Sequence, residues 1–137
     1  MLDNKCVIII DETLPLGVIA NTAAVIAASF GKLYPQMVGE SLIDWQGHVH
    51  GGITTIALPI LKGSAELLKK LREQLREFEP EIIVVDLISA TRTTRSYEEY
   101  AEVLAHGPDD AIQYQGLGII GNKKLVTKLT GNLGLLR

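Results

Sequence analysis

Two stretches of the chain are hydrophobic without alternation: Cys6-Val7-Ile8-Ile9-Ile10 and Ile82-Ile83-Val84-Val85. A continuous β-branched run predicts a strand covered on both faces. After the first run comes a polar, turn-forming stretch, Asp11 to Gly17. Val18 to Phe30 then follows, Ala-rich and almost free of charge, with Gly31 placed to end it. A helix apolar all round predicts burial on every side, and a glycine just past its end suits a C-terminal cap. Further on, Leu67, Leu68, Leu71, Leu75 and Phe78 fall on one stripe. Lys69, Lys70, Arg72, Glu73 and Arg76 fall on the other. That spacing predicts an amphipathic helix capped by Ser64 and closed by Pro80.

The remaining segments read as shorter elements. Glu40 to Trp45 predicts a short strand, and Gln46-Gly47 and Gly51-Gly52 bracket His48-Val49-His50 as a hairpin or loop. Ile53 to Leu58 predicts a core strand ended by Pro59. Ser96-Tyr97-Glu98-Glu99 is a capping box that opens a helix to about Ala105. Gly107 to Asp110 reads as a turn. Tyr114 to Ile120 predicts a glycine-containing strand, and Gly121-Asn122 starts a last helix that Gly131 ends. Strands alternating with helices predict an α/β domain with helices on both faces of a sheet.

Composition narrows the class. The 137 residues fit one domain with a core of its own. A net charge of -3 supplies no global basic field, which argues against a nucleic-acid partner. The single cysteine, Cys6, lies in the first predicted strand, forms no intrachain disulfide and fits a reducing cytoplasm. The N-terminus does not read as a signal peptide. The low-charge run from Val18 to Gly31 is too short and too Ala-rich for a membrane span.

Candidate chemistry concentrates at the predicted strand ends, where ligands of α/β sheets bind. The loop with Pro15 and Gly17 leads to Asn21, an amide in an otherwise apolar helix. Asn21 either lines a pocket or ties the loop to the helix. Asp11 and Asp86 each follow a β-branched run. If their strands are parallel, both project at one edge and could do acid/base work; the alternative is that each caps a turn. Thr91 and Arg92 open a run of hydroxyls and guanidiniums suited to phosphate or carboxylate, or simply a solvated loop. Gly121, Asn122 and Lys123 combine strand, glycine and helix start in the manner of an anion cradle. Asp44, His48 and His50 form an incomplete metal set in a glycine-flanked loop, so no metal and no cofactor are expected. No Ser-His-Asp set can be assigned.

Leu14-Pro15-Leu16-Gly17, Ala20-Asn21 and Gly121-Asn122-Lys123-Lys124-Leu125-Val126 resemble the uncharacterised bacterial family DUF2000. So does the terminal Leu-Thr-Gly-x-Leu-x-Leu-Leu, Leu129 to Leu136. That family looks like a divergent branch of the type 2 peptidyl-tRNA hydrolase fold. The resemblance implies a three-layer α/β/α sandwich around a mixed sheet of four or five strands, and a homodimer. It implies hydrolase chemistry less directly. Val18 stands where the hydrolases carry a catalytic lysine, Asn21 matches a family glutamine, and Ala24 falls at a family histidine. Asp110-Ala111 matches an Asp-Ala-Gly run, with Ile112 in place of the glycine.

The expectation is therefore a cytoplasmic protein of hydrolase-like fold, without peptidyl-tRNA hydrolysis, that binds a small anionic or nucleotide-like ligand. The strand-end loop, Asp86 and the Gly121–Lys124 turn would surround that ligand. The alternative is a peptidyl-tRNA hydrolase or related hydrolase acting on an ester or amide, with Asp110, Asp86 and Asp11 as its catalytic candidates. The Leu133–Leu136 tail is expected to tuck into its own core, and the loop around Trp45, an aromatic of the kind enriched at interfaces, to form the dimer face.

Overall fold

A computed structural model describes residues 3–107 and 112–137. The first β-branched run forms β1, Asn4–Asp11, every residue of which is buried from Cys6 onward. It lies inside a four-stranded sheet with β4 (Ile60–Gly63) on one side and β6 (Tyr114–Asn122) on the other. β5 (Ile83–Ile88) follows β6 at the edge. The β1–β4 pair is parallel, and β6 runs antiparallel to both β1 and β5. β1 is covered on both faces. Val7 and Ile9 point to one apolar cluster, and Cys6, Ile8 and Ile10 to the other, as the two-residue side-chain period requires.

The first cluster is closed by α2 (Ala65–Leu75) and α4 (Lys123–Thr130) through Leu68, Leu71, Leu75 and Val126. Tyr100 and Val103 of α3 (Tyr97–His106) pack against it as well. The second is closed by Ile26 and Phe30 of α1 (Leu16–Leu33). Helices thus cover both faces of a mixed α/β sheet. Ser64, Ser96 and Asn122 cap α2, α3 and α4 with side-chain oxygens that accept backbone N–H groups.

α1 departs from expectation in three ways. It runs to Leu33, because Gly31 does not adopt a left-handed backbone; among the described residues only Gly47 has positive φ. It is not buried all round: only Thr22, Ile26 and Phe30 are fully covered. Its outer face, with Leu16, Ala20, Ala24 and Val25, is open. By length and composition it could cross a membrane, yet here it packs on the sheet. The contact is close because β6 presents glycines to it. A Cβ on Gly118 would stand 2.4 Å from Ile26 and 2.5 Å from Phe30, and one on Gly116 2.5 Å from Thr22.

Two further expectations fail. Ile53 to Leu58 is not a core strand; pairing begins after Pro59, at Ile60. Pro59 has no N–H to donate but its carbonyl accepts from Ile8, so proline sits at the strand's entrance rather than its end. Arg72 does not lie on a solvated face. It is buried on α2, its Nε donating to Asp86 and its Nη1 to Glu79, each at 2.8 Å.

The chain end completes the sheet edge. Lys62 N–H donates to Gly134 O and Leu136 N–H to Ile60 O, so the tail runs along β4 with an antiparallel bridge between Leu61 and Leu135. Leu133 and Leu136 pack on the protein's own two clusters, as expected, and Leu135 stays half exposed.

Candidate functional site

The mouth of the sheet is where β1, β4 and β5 end and β6 begins. There the pairing of β5 with β6 slips by one residue between Leu87 and Ile88: Leu87 faces Gly116 while Ile88 faces Tyr114. Such a bulge re-aims a side chain. Here the one it turns is Gln115, which is buried and points to the α1 side. Its Nε2 donates to Thr22 Oγ1 at 3.0 Å, and Thr22 Oγ1 donates to Val18 O at 2.7 Å. Its Oε1 accepts from Arg92 Nε at 3.1 Å. A guanidinium has no acceptor, so Arg92 fixes which end of the amide faces outward. A polar chain, buried at Thr22 and Gln115, thus runs from α1 through β6 to the 3-10 turn Ser89–Arg92, and it holds the exposed Arg92 at the mouth.

Beside it lies a cleft of about 350 Å³ between α1, β5 and the start of α3. Val25, Leu87, Tyr97 and Tyr100 supply apolar walls, and Thr91, Thr94, Arg95 and Ser96 supply polar groups. Tyr100 also receives the Ile88 N–H on its hydroxyl, and burial raises its pKa. Among the described residues, no salt bridge engages the guanidinium of Arg92 or Arg95, though Glu99 Oε2 accepts the Arg95 backbone N–H.

Of the residues singled out from sequence, Thr91 and Arg92 are at this mouth. Asn21 is exposed on α1; the buried polar residue of that helix is its neighbour, Thr22. Pro15 is the N-cap of α1, and Gly17 is exposed with nothing within 4 Å of an added Cβ, so the fold does not demand a glycine there. Their neighbours Leu16 and Ile19 instead line a separate cavity of about 520 Å³ with Glu12, Lys62 and Arg137. Asp11 is spent on its own turn, its Oδ1 accepting from Thr13 N–H at 3.0 Å and Thr13 Oγ1 at 2.7 Å.

Asp86 does not end its strand. It sits inside β5 opposite Leu117 and holds Arg72, so it does not project beside Asp11 although the two strands run the same way. Gly121, Asn122 and Lys123 lie at the far end of the sheet, because β6 is antiparallel: Gly121 pairs with Lys5 and Asn122 with Asn4. The anion cradle expected there is already filled. Asn122 Oδ1 accepts from Lys124 N–H and Leu125 N–H, and Asp3 O accepts from Lys123 N–H. The strand-end loop and the Gly121–Lys124 turn therefore do not surround one ligand. Asp110 lies outside the described residues.

Asp44, His48 and His50 do converge, with His50 Nε2 2.7 Å and His48 Nδ1 3.8 Å from Asp44 Oδ2. Asp44 Oδ1 is occupied by the Gln46 and His48 N–H groups, and the His50 contact, with these, lowers its pKa. No group of three metal-binding side chains suited to an ion is found among the described residues.

The family described as protein of unknown function DUF2000 matches residues 4–137. The chain belongs to the DUF2000 family. A solved structure of a protein of unknown function from Agrobacterium tumefaciens is similar to this DUF2000 chain over 98% of both lengths. The two share 21% sequence identity, with a TM-score of 0.87, which is a likeness of fold. No curated protein matches this DUF2000 member. Sequence reasoning missed Gln115. Its signal was a lone amide beside two strand glycines in Tyr114-Gln115-Gly116-Leu117-Gly118.

Proposed function

We propose that this DUF2000 chain is a cytoplasmic binding module of hydrolase-like fold. It takes a small anionic, nucleotide-like ligand at the mouth of the sheet, between Arg92 and the adjoining cleft of α1, β5 and the start of α3. One observation carries this reading: the buried Thr22–Gln115 pair holds Arg92 by its Nε at the mouth of the sheet. A guanidinium anchored at Nε keeps its two terminal nitrogens for a planar, forked contact with phosphate or carboxylate. Arg95 and the hydroxyls of Thr91 and Thr94 add donors, and Tyr97 and Tyr100 offer flat apolar faces for a ring. A binding module needs only this shape and these donors. The free, buried Cys6 fits a reducing compartment.

Thermal-shift screening with nucleoside mono-, di- and triphosphates and with sugar phosphates tests the reading. A ligand at a hundredfold excess over its Kd should stabilise the native state by about 2.7 kcal/mol. Arg92→Ala should weaken that ligand by about tenfold or more, as expected for losing a charge-assisted contact. If no member of the panel shifts the melting temperature, the reading fails. Turnover of N-acetyl-aminoacyl-tRNA that Asp110→Ala abolishes would replace it with the hydrolase.

A further inference from the structure

One part of the molecule has no layer behind it. Beyond α1, the chain turns out at Met37 and returns at Thr55, whose N–H donates to Met37 O at 2.7 Å. Between them Val38 bridges Thr54, and Gly39 N–H donates to Ile53 O. The short strands β2 (Leu42–Ile43) and β3 (Val49–His50) then pair as a two-stranded sheet of their own, closed by a turn with Gly47 at φ 86°. Directly opposed residues share a face, so Leu42 and His50 mark one side of this arm and Ile43 and Val49 the other.

Neither side is covered. Leu42 is 67% exposed, Ile43 72%, Trp45 91%, Val49 68% and Ile53 77%. A lone hairpin is at best marginally stable in water, and this one gains little burial from its own large side chains. With Val38, these residues leave on the order of 800 Å² open over the two sides of the arm, of which one docking face covers about half.

The same chain carries a seat for it. The outer face of α1 exposes Leu16, Ala20 and Ala24, with Asn21 as its exposed amide and Lys32 as the helix's sole charge, so covering the face desolvates few polar groups. The arm's own charged groups are the acids Glu40 and Asp44, opposite in sign to Lys32. The lengths match: α1 is about 27 Å long, and Val38 to Trp45, extended, spans about 25 Å. The arm leaves from the C-terminal end of α1. If two copies bring the C-terminal ends of their α1 helices together in antiparallel directions, each arm has the partner's helix to run along towards its Leu16. We propose that the Val38–Thr54 arm docks on the outer face of α1 in a second copy of this chain. Reciprocal exchange of the two arms makes a closed twofold dimer.

Light scattering on the full chain should give twice the 14.9 kDa protomer mass. Trp45 is the only tryptophan, so its emission reads arm burial directly. It should be blue-shifted in the dimer and move to the red as dilution lowers the mass. Ile43→Glu on the arm and Ala24→Glu on the seat should each give monomers with unchanged circular dichroism, and Leu104→Lys on α3 should leave the dimer intact. A monomer at the highest attainable concentration overturns the proposal. So does a dimer that survives Ile43→Glu, or one lost with Ile43→Glu but kept with Ala24→Glu. Should a variant misfold, the wild-type dilution series still decides: emission that stays red and constant while the mass falls overturns the arm's role.

Discussion

Arg72 shows how a single side chain can be misread from its neighbours. It lies between Leu71 and Glu73 on a helix whose polar stripe it belongs to by spacing, yet it is buried. What buries it is the pair of carboxylates brought by Glu79 and Asp86. Desolvation lowers the Arg72 pKa, and those two carboxylates more than offset it, so the group stays charged. A buried ion pair of this kind is worth little over an apolar replacement, but a half-broken one is costly. Asp86→Ala should therefore destabilise the protein by about 2–4 kcal/mol, since it leaves a buried guanidinium short of a partner. Arg72→Met, which removes the charge and keeps the volume, should cost less than Asp86→Ala. Urea unfolding of the two variants measures the difference, and equal losses would mean that Asp86 acts otherwise than through Arg72.

At the level of elements, α1 packs closely against β6. Gly116 and Gly118 let the helix approach until Thr22, Ile26 and Phe30 occupy the space a Cβ would take. That approach is also what brings Thr22 within hydrogen-bonding distance of Gln115. Gly118→Ala should thus act twice. It should lower stability by about 1–3 kcal/mol through overpacking, and it should weaken any ligand held through Arg92 by shifting the helix that braces Gln115. Thermal melts give the first effect. Comparing Kd for Gly118→Ala with that for Arg92→Ala gives the second, and a stable, full-affinity Gly118→Ala protein would show that the contact has slack.

For the molecule as a whole, Cys6 is a reporter placed at the centre. It lies on the second strand of the sheet, wholly inaccessible, and burial pushes its thiol up to about 11 from 9.0. The thiolate is the reactive form. Labelling by a thiol reagent at neutral pH should therefore be slow, should require opening of the sheet, and should accelerate in step with denaturant. A raised folded-state value means that the native state holds this proton more tightly than the unfolded chain. The group's contribution is therefore intact below pH 9 and lost as the pH rises towards 11. Rapid labelling of the native protein at neutral pH would contradict the packing around β1.

Sequence alone determined what is local. The β-branched runs became β1 and β5, Ser64, Ser96 and Asn122 became caps, and the leucine stripe of α2 became its buried face, because backbone preference and side-chain period act within a few residues. Thr91 and Arg92 were legible at the mouth for the same reason: they follow a strand end. Only the tertiary structure decided what depends on distant partners. The antiparallel run of β6 carried Gly121 and Lys123 to the opposite end from Asp11, and no local signal states a strand's direction. The slip at Leu87 and Ile88 turned Gln115 onto Thr22, 93 residues away in the chain. Asn21 and Thr22 are adjacent and alike in sequence, and the rotation of α1 on the glycines of β6 chose which would be buried. Such choices rest on long-range packing, which the pattern of neighbouring residues does not encode.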